Sequence, residues 1–383
     1  MAKENNTVKK IKERDTSLDV IRIFAVFSVI SVHFFLNSGF YQEQIAGNAM
    51  FGIVFVRSFF MVCVPLFLLL TGYLMSRKTL SKKYYLGIVK TLGIYILASI
   101  ACIIYINIKA PGTYDVKGAI FGILNFSAAN YSWYIEMYIG LFLLIPFLNL
   151  IYNGLKNKKQ KLALIVTLLF LTSIPEVINI FNFSVEEWWL QPAISTEYQK
   201  LIPGFWVAIY PLTYYFIGCY LKEFGLSINK IFSWLFLLSA LLFIGSFNYY
   251  RSFGGVFAWG PWQNWGSLLH VVLAVLVFHI IVETQWIRKL PSGVKTILKW
   301  LSDLSLGAYL VSYIFDSEFY PMLKEHAALF TERFQYFPVI VPTVFLCSML
   351  LSAVLNLVYK GIFLVIKEIV KQVKARKMIK SDC

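Results

Sequence analysis

Apolar residues in this chain gather in long continuous runs, near positions 18–39, 48–75, 86–107, 133–153, 159–180, 205–221, 231–249, 265–284, 297–316 and 337–366. A helix needs about 20 mostly apolar residues to cross the hydrocarbon core of a bilayer, so the pattern predicts ten transmembrane helices. The expected fold class is all-α, a polytopic integral membrane helical bundle, because a helix satisfies its own backbone where no water can. No soluble domain, internal repeat or low-complexity stretch interrupts the series. Residues 1–383 therefore read as one membrane domain with basic tails at 1–17 and 367–383.

Composition agrees. With 58% hydrophobic and only 14% charged residues, the side chains hold too little polarity to cover a soluble globule. A net charge of +15 would suggest nucleic acid in a soluble protein, but here the Lys and Arg lie between the apolar runs and no nucleic-acid partner is expected. The N-terminal tail, 77–83, 156–161, 222–230, 288–299 and the tail from Lys367 hold 25 of them. The alternate connections hold 6: Lys109, Lys117, Lys200, Arg251, Lys324 and Arg333. Positive loops stay cytoplasmic, which puts both termini in the cytoplasm and predicts a multi-pass protein of the cell membrane, taken as a bacterial plasma membrane. The first run carries Arg22 and His33 and lacks a small-residue cleavage site, so it reads as a retained helix rather than a signal peptide. The five cysteines are scattered without metal-like spacing, and neither a disulfide framework nor a metal site is expected.

Ionisable residues inside hydrocarbon are costly and mark function by default. Four stand out: Arg22, His33, Arg57 and Glu136. Arg22 and His33 are eleven residues apart, three turns plus about 20°, so they share a helix face and are separated by about 16 Å along the axis. A ligand bridging them is long. Extended coenzyme A fits, with Arg22 on phosphate and the pantetheine arm reaching toward His33, whose pKa range suits a general base. Glu136, one turn into the fourth run at a similar depth, is a carboxylate able to orient the imidazole, and Arg57 pairs with it or holds a substrate oxygen. Each residue also has a structural reading: Arg22 snorkelling to lipid phosphates, His33 in an interhelical hydrogen bond, Glu136 and Arg57 neutralising each other. The long outer connections at 108–132, 181–204 and 317–336 are aromatic and suit the membrane interface or the mouth of a site for a sugar-like substrate.

The residues from Leu18 to Arg22, followed at position 33 by His, resemble the first-helix signature of the membrane acyltransferase 3 family. Val64-Pro65-Leu66-Phe67-Leu68-Leu69-Leu70-Thr71-Gly72-Tyr73 is similar to its second-helix motif, with Thr71 in place of the usual Ser. Ser132-Trp133-Tyr134-Ile135-Glu136 with Pro146, and Ser305-Leu306-Gly307-Ala308-Tyr309-Leu310, resemble two further segments in family order. One departure is Ser312, where many members have a second His.

The resemblance implies an O-acyltransferase that moves an acyl group, most often acetyl, from cytoplasmic acyl-CoA to a hydroxyl of a cell-surface or lipid-linked carbohydrate. On that reading His33 and Glu136 are catalytic and Arg22 binds the donor, while Arg57, Trp133 and Tyr309 belong to an outer substrate site. Acetyl-CoA is a donor substrate and no cofactor is bound. Direct attack and an acyl-histidine relay both suit these residues. The expected partners are acyl-CoA, a cell-envelope carbohydrate or lipid-linked sugar, and membrane lipids. The chain ends soon after the tenth run, so it either acts alone or hands the acyl group to a separate extracytoplasmic protein. A carrier or flippase for a lipid-linked sugar is the alternative, and a receptor or scaffold without turnover a third.

Overall fold

The computed structural model describes residues 14–193, 195 and 197–381, with side chains to 372. Most of the expected N-terminal tail and the basic side chains beyond Lys371 lie outside the described residues. No β-strand forms among the described residues; two isolated bridges, Gln44 with Val256 and Ile45 with Phe253, tie together two connections.

Helix α1 (Thr16–Asn37) starts where the Asp15 carboxylate accepts the Ser17 N–H at 3.0 Å and satisfies one of the donors a helix start leaves open. It ends at Gly39, whose φ of +96° is a turn geometry that glycine adopts without strain. The second run is broken into α2 (Gly47–Phe60) and α3 (Cys63–Met75). Pro65 explains the break, since its ring excludes the carbonyl of Met61 from helical bonding. The remaining long helices are α4 (Val89–Lys109), α5 (Trp133–Gly154), α6 (Lys158–Thr172), α7 (Tyr210–Phe224), α8 (Lys230–Ser252), α9 (Leu268–Glu283), α10 (Ser292–His326) and α11 (Phe337–Ser381).

All ten predicted runs contain helix, but they are not equal. Seven helical segments among the described residues are long and apolar enough to cross a membrane: Thr16–Asn37, Gly47–Met75, Lys82–Lys109, Trp133–Gly154, Lys230–Ser252, Pro261–Glu283 and Phe337–Gln372. Helices α6 and α7 have 15 residues each, about 22 Å of rise against the roughly 30 Å of a hydrocarbon core. Helix α10 is long, at 35 residues, but is punctuated by Asp303, Ser305, Ser312, Asp316 and Glu318. It also continues ten residues beyond the end of the run at 316, through a stretch expected to be an outer connection.

Helix α1 is central, packed against α3, α10 and α11. Helices α3 and α7 meet through glycine: a Cβ on Gly72 would lie 2.0 Å from the Tyr215 carbonyl oxygen, and one on Gly218 would lie 2.2 Å from that of Leu69. Small residues let helix backbones approach this closely where lipid offers no hydrophobic drive to pair them.

Candidate functional site

Two adjoining cavities run along α1. The first, about 350 Å³, is bounded by Arg22, His33, Cys63, Thr71, Trp133, Tyr134, Trp265 and Tyr309 among others, so Arg22 and His33 line one space. The second, about 560 Å³, lies toward the end at which α1 begins and carries Arg14, Asp19, Lys90 and Asp303. Arg22, Leu74, Thr91, Ser305 and Leu306 belong to both. The one-face relation predicted from an eleven-residue spacing is thus realised as the long wall of a continuous passage.

At the junction, Arg22 donates from Nη1 to Ser302 Oγ at 2.7 Å and lies 3.7 Å from Asp19. Arg14 crosses above it. Its Nε donates to both oxygens of Asp19 at 2.9 and 3.0 Å, and its Nη2 donates to Asp303 at 2.9 Å, joining the start of α1 to α10. Partial burial works against the Arg14 charge, but Asp19 and Asp303 outweigh it and raise its pKa above the ordinary arginine value. The residue stays cationic at the mouth of the passage.

At the far end, His33 is 8% exposed. Its Nδ1 lies 3.4 Å from Oδ2 of Asp316, a buried residue of α10. The separation is that of an ion pair and falls short of hydrogen-bond geometry; such contacts in unliganded sites often tighten when substrate binds. Tyr131 lies over the imidazole, tilted by 33° with ring centroids 3.7 Å apart, and donates its hydroxyl to Asp316 Oδ2 at 2.8 Å. Asn37 donates to the Tyr131 hydroxyl at 3.0 Å. The Tyr309 hydroxyl donates to the Tyr131 carbonyl, which fixes the segment that carries this ring. With Nδ1 turned to a carboxylate, Nε2 is the nitrogen left for the cavity, the arrangement a histidine base requires.

The carboxylate beside His33 is therefore that of Asp316 and not that of Glu136. Glu136 is exposed and forms no ion pair with Arg57. The reason is rotational: Ile135, Tyr134 and Tyr138 turn α5 toward the cavity and leave position 136 on the outside. Trp133 and Tyr309 line the cavity. Arg57 does not line it. It is fully buried, donates Nε to the Tyr41 hydroxyl at 3.3 Å and Nη1 to Gln263, and lies over the rings of Phe257 and Trp259 at 4.5 and 5.1 Å. It pins the connection between α8 and α9, which delivers Trp265 to the cavity. Among the described residues no group of His, Cys, Asp and Glu is arranged to hold a metal ion.

Asp316, Tyr131, Asn37 and Trp265 were not among the residues singled out from sequence. A signal for Asp316 exists, since it follows Tyr309 by seven residues, two helical turns, on the same face. Between them Ser312 donates to the Tyr309 carbonyl at 2.9 Å and is buried, so its hydroxyl is internally satisfied.

No curated protein and no solved structure matches this chain. A family model described as an acyltransferase domain matches residues 15–355, from the cap of α1 to within α11, and so includes every residue of the passage except Arg14 and Asn356. With its membrane-spanning helices and that match over nearly its whole length, the chain belongs to the acyltransferase 3 family and is a membrane acyltransferase.

Proposed function

We propose that this protein is an acyl-CoA-dependent O-acyltransferase that acetylates a hydroxyl of a cell-surface or lipid-linked carbohydrate. The observation that carries the proposal is that Arg22 and His33 line one elongated cavity, with Asp316 behind the imidazole. The nucleotide end of coenzyme A occupies the more charged cavity, near Arg14, Lys90 and Arg22, where charge-assisted bonds suit phosphate. The pantetheine arm follows the mostly apolar cavity to His33. The split of 25 basic residues against 6 supports ten passes with both ends in the cytoplasm, and hence donor access from that side.

His33 Nε2 takes the proton of the acceptor hydroxyl as its oxygen attacks the thioester carbonyl carbon. The tetrahedral adduct then expels the thiolate, and His33 returns the proton to sulfur. Asp316 holds the tautomer and stabilises the imidazolium while it lasts. The acceptor approaches past Trp133 and Tyr134.

The test is acetyl transfer by purified, reconstituted protein from radiolabelled acetyl-CoA to cell-envelope carbohydrate extracts. Label incorporated by wild type and lost with His33→Ala supports the reading. No consumption of thioester, with movement of a lipid-linked sugar across the vesicle, would replace it with a carrier.

A further inference from the structure

Trp265 is placed with unusual care for a residue of a connection. Its ring lies parallel to that of Trp133, centroids 4.7 Å apart at 13°, and its carbonyl accepts the Tyr214 hydroxyl at 2.6 Å. On its N-terminal side Asn264 donates to buried Glu176 at 2.7 Å, and Gln263 accepts from Arg57. On its C-terminal side Ser267 donates to the Trp262 carbonyl at 2.9 Å. The segment is held by buried polar contacts on both sides of one indole.

Yet the indole N–H itself, on Nε1, is buried and has no hydrogen-bond partner. An indole nitrogen is a donor only, and a buried donor without an acceptor costs on the order of 1–3 kcal/mol. Its polar neighbour is the Cys63 thiol, a weak acceptor at best. Cys63 and Trp265 both line the cavity with His33 and Tyr309. Tyr309 is bonded to the backbone of Tyr131, whose ring covers His33. The unpartnered donor's ring and the base thus line one cavity.

We infer that the Trp265 indole N–H is a catalytic donor to the acyl carbonyl, polarising the thioester and stabilising the oxyanion of the tetrahedral adduct. The inference rests on the acyl-CoA reading above. As the acceptor oxygen bonds to the carbonyl carbon, the carbonyl π pair moves onto oxygen and Nε1–H bonds to it. When that pair returns, the C–S bond breaks, the thiolate takes the proton from His33, and Nε1 releases an ordinary ester. A preformed donor that finds its acceptor only on the reacting group lowers the barrier without reorganisation, and removing one such donor typically costs about 10²–10³ in kcat.

The experiment uses the full-length reconstituted protein with acetyl-CoA and envelope carbohydrate. Trp265→Phe keeps an aromatic ring and removes the N–H; kcat falls about 100-fold while KM for acetyl-CoA changes less than about threefold. A second variant carries 3-benzothienylalanine at 265, which replaces N–H by sulfur at nearly constant shape, and loses the same factor. The carbonyl stretch of ¹³C-labelled acetyl-CoA, shifted down in wild type, returns to its solution frequency in both. A benzothienylalanine variant with wild-type kcat overturns the inference whether or not Trp265→Phe folds. If wild type transfers acetyl and both variants match it, the indole's role alone is wrong. If wild type neither binds nor consumes acetyl-CoA, the proposed function is wrong and this inference falls with it.

Discussion

Nδ1 of His33 lies 3.4 Å from Oδ2 of Asp316, one on the first helix and the other on the tenth. The two are brought together because α1 and α10 pack along their length, and the carboxylate is held in turn by Tyr131 and Asn37. This dyad separates two roles that are easily confused. Asp316→Asn preserves shape but favours the wrong imidazole tautomer, and kcat is expected to fall by about two to four orders of magnitude with little change in KM. Glu136→Gln stays within about threefold of wild type, because Glu136 is exposed on the far side of α5. Steady-state acetyl transfer by the two variants, side by side, checks both statements.

Arg22 stands at the junction of the cavities, where on the proposed mechanism it meets the phosphate-bearing half of the donor. Arg22→Ala is expected to raise KM for acetyl-CoA by roughly 10–100-fold, the loss of a charge-assisted contact worth about 1.5–3 kcal/mol. With an acetyl thioester of N-acetylcysteamine, which lacks the nucleotide, Arg22→Ala and wild type give the same KM. An equal loss with both donors would assign Arg22 to the stability of the bundle.

Asp303 competes with any bound phosphate for Arg14, with Nη2 of the arginine 2.9 Å from its carboxylate. Asp303→Asn is therefore expected to lower KM for acetyl-CoA several-fold in dilute buffer, and Arg14→Ala to raise it. Both differences shrink in about 0.5 M salt, where exposed charges are screened within a few ångströms. A titration of KM against ionic strength reads all three enzymes.

The α3–α7 crossing predicts a graded set of stability losses. Gly72→Ala and Gly218→Ala each drive a methyl group into a carbonyl oxygen of the facing backbone, and overpacking of this kind costs roughly 1–3 kcal/mol or more. Gly93→Ala meets instead the side-chain ring of half-buried Tyr359, which can shift about its own torsions where a backbone carbonyl cannot. Melting in detergent is expected to fall clearly for the first two and marginally for the third.

How much of this was legible beforehand depends on whether a relation lies within one helix or between two. Arg22 and His33 were readable because spacing on a single helix fixes both face and depth. The carboxylate partner was not, because nothing in a single sequence says which helices are neighbours; Glu136 and Asp316 are both acids at comparable depth, and only rotation about α5 and α10 distinguishes them. The apolar run from 297 ends at 316, where Asp316, Ser317 and Glu318 interrupt it. The helix continues because those groups find partners on different sides: Asp316 inward at His33, and Glu318 outward at Lys109 and Tyr105, at 2.6 and 2.8 Å. Arg57 shows the opposite difficulty. A buried arginine in a membrane reads as a site residue, and here its charge is absorbed by aromatic faces and an amide while it positions a connection. The shortness of α6 and α7, 15 residues each, is masked in the sequence by apolar residues that continue past 172 and precede 210.

The cavity that carries Arg14, Lys90 and Asp303 and the one that carries His33 share Arg22 and four further residues, and that succession has an energetic consequence. On the proposed mechanism a bulky polyanion rests in the charged cavity while a two-carbon fragment alone continues past the imidazole. The reaction is then vectorial without a transport cycle: no domain has to rock, no ion gradient is drawn down, and the free energy of the thioester is delivered to the opposite surface by chemistry. While it is bound, the same donor fills both cavities from Arg14 to His33, so the molecule that brings the acyl group also closes the path to other solutes.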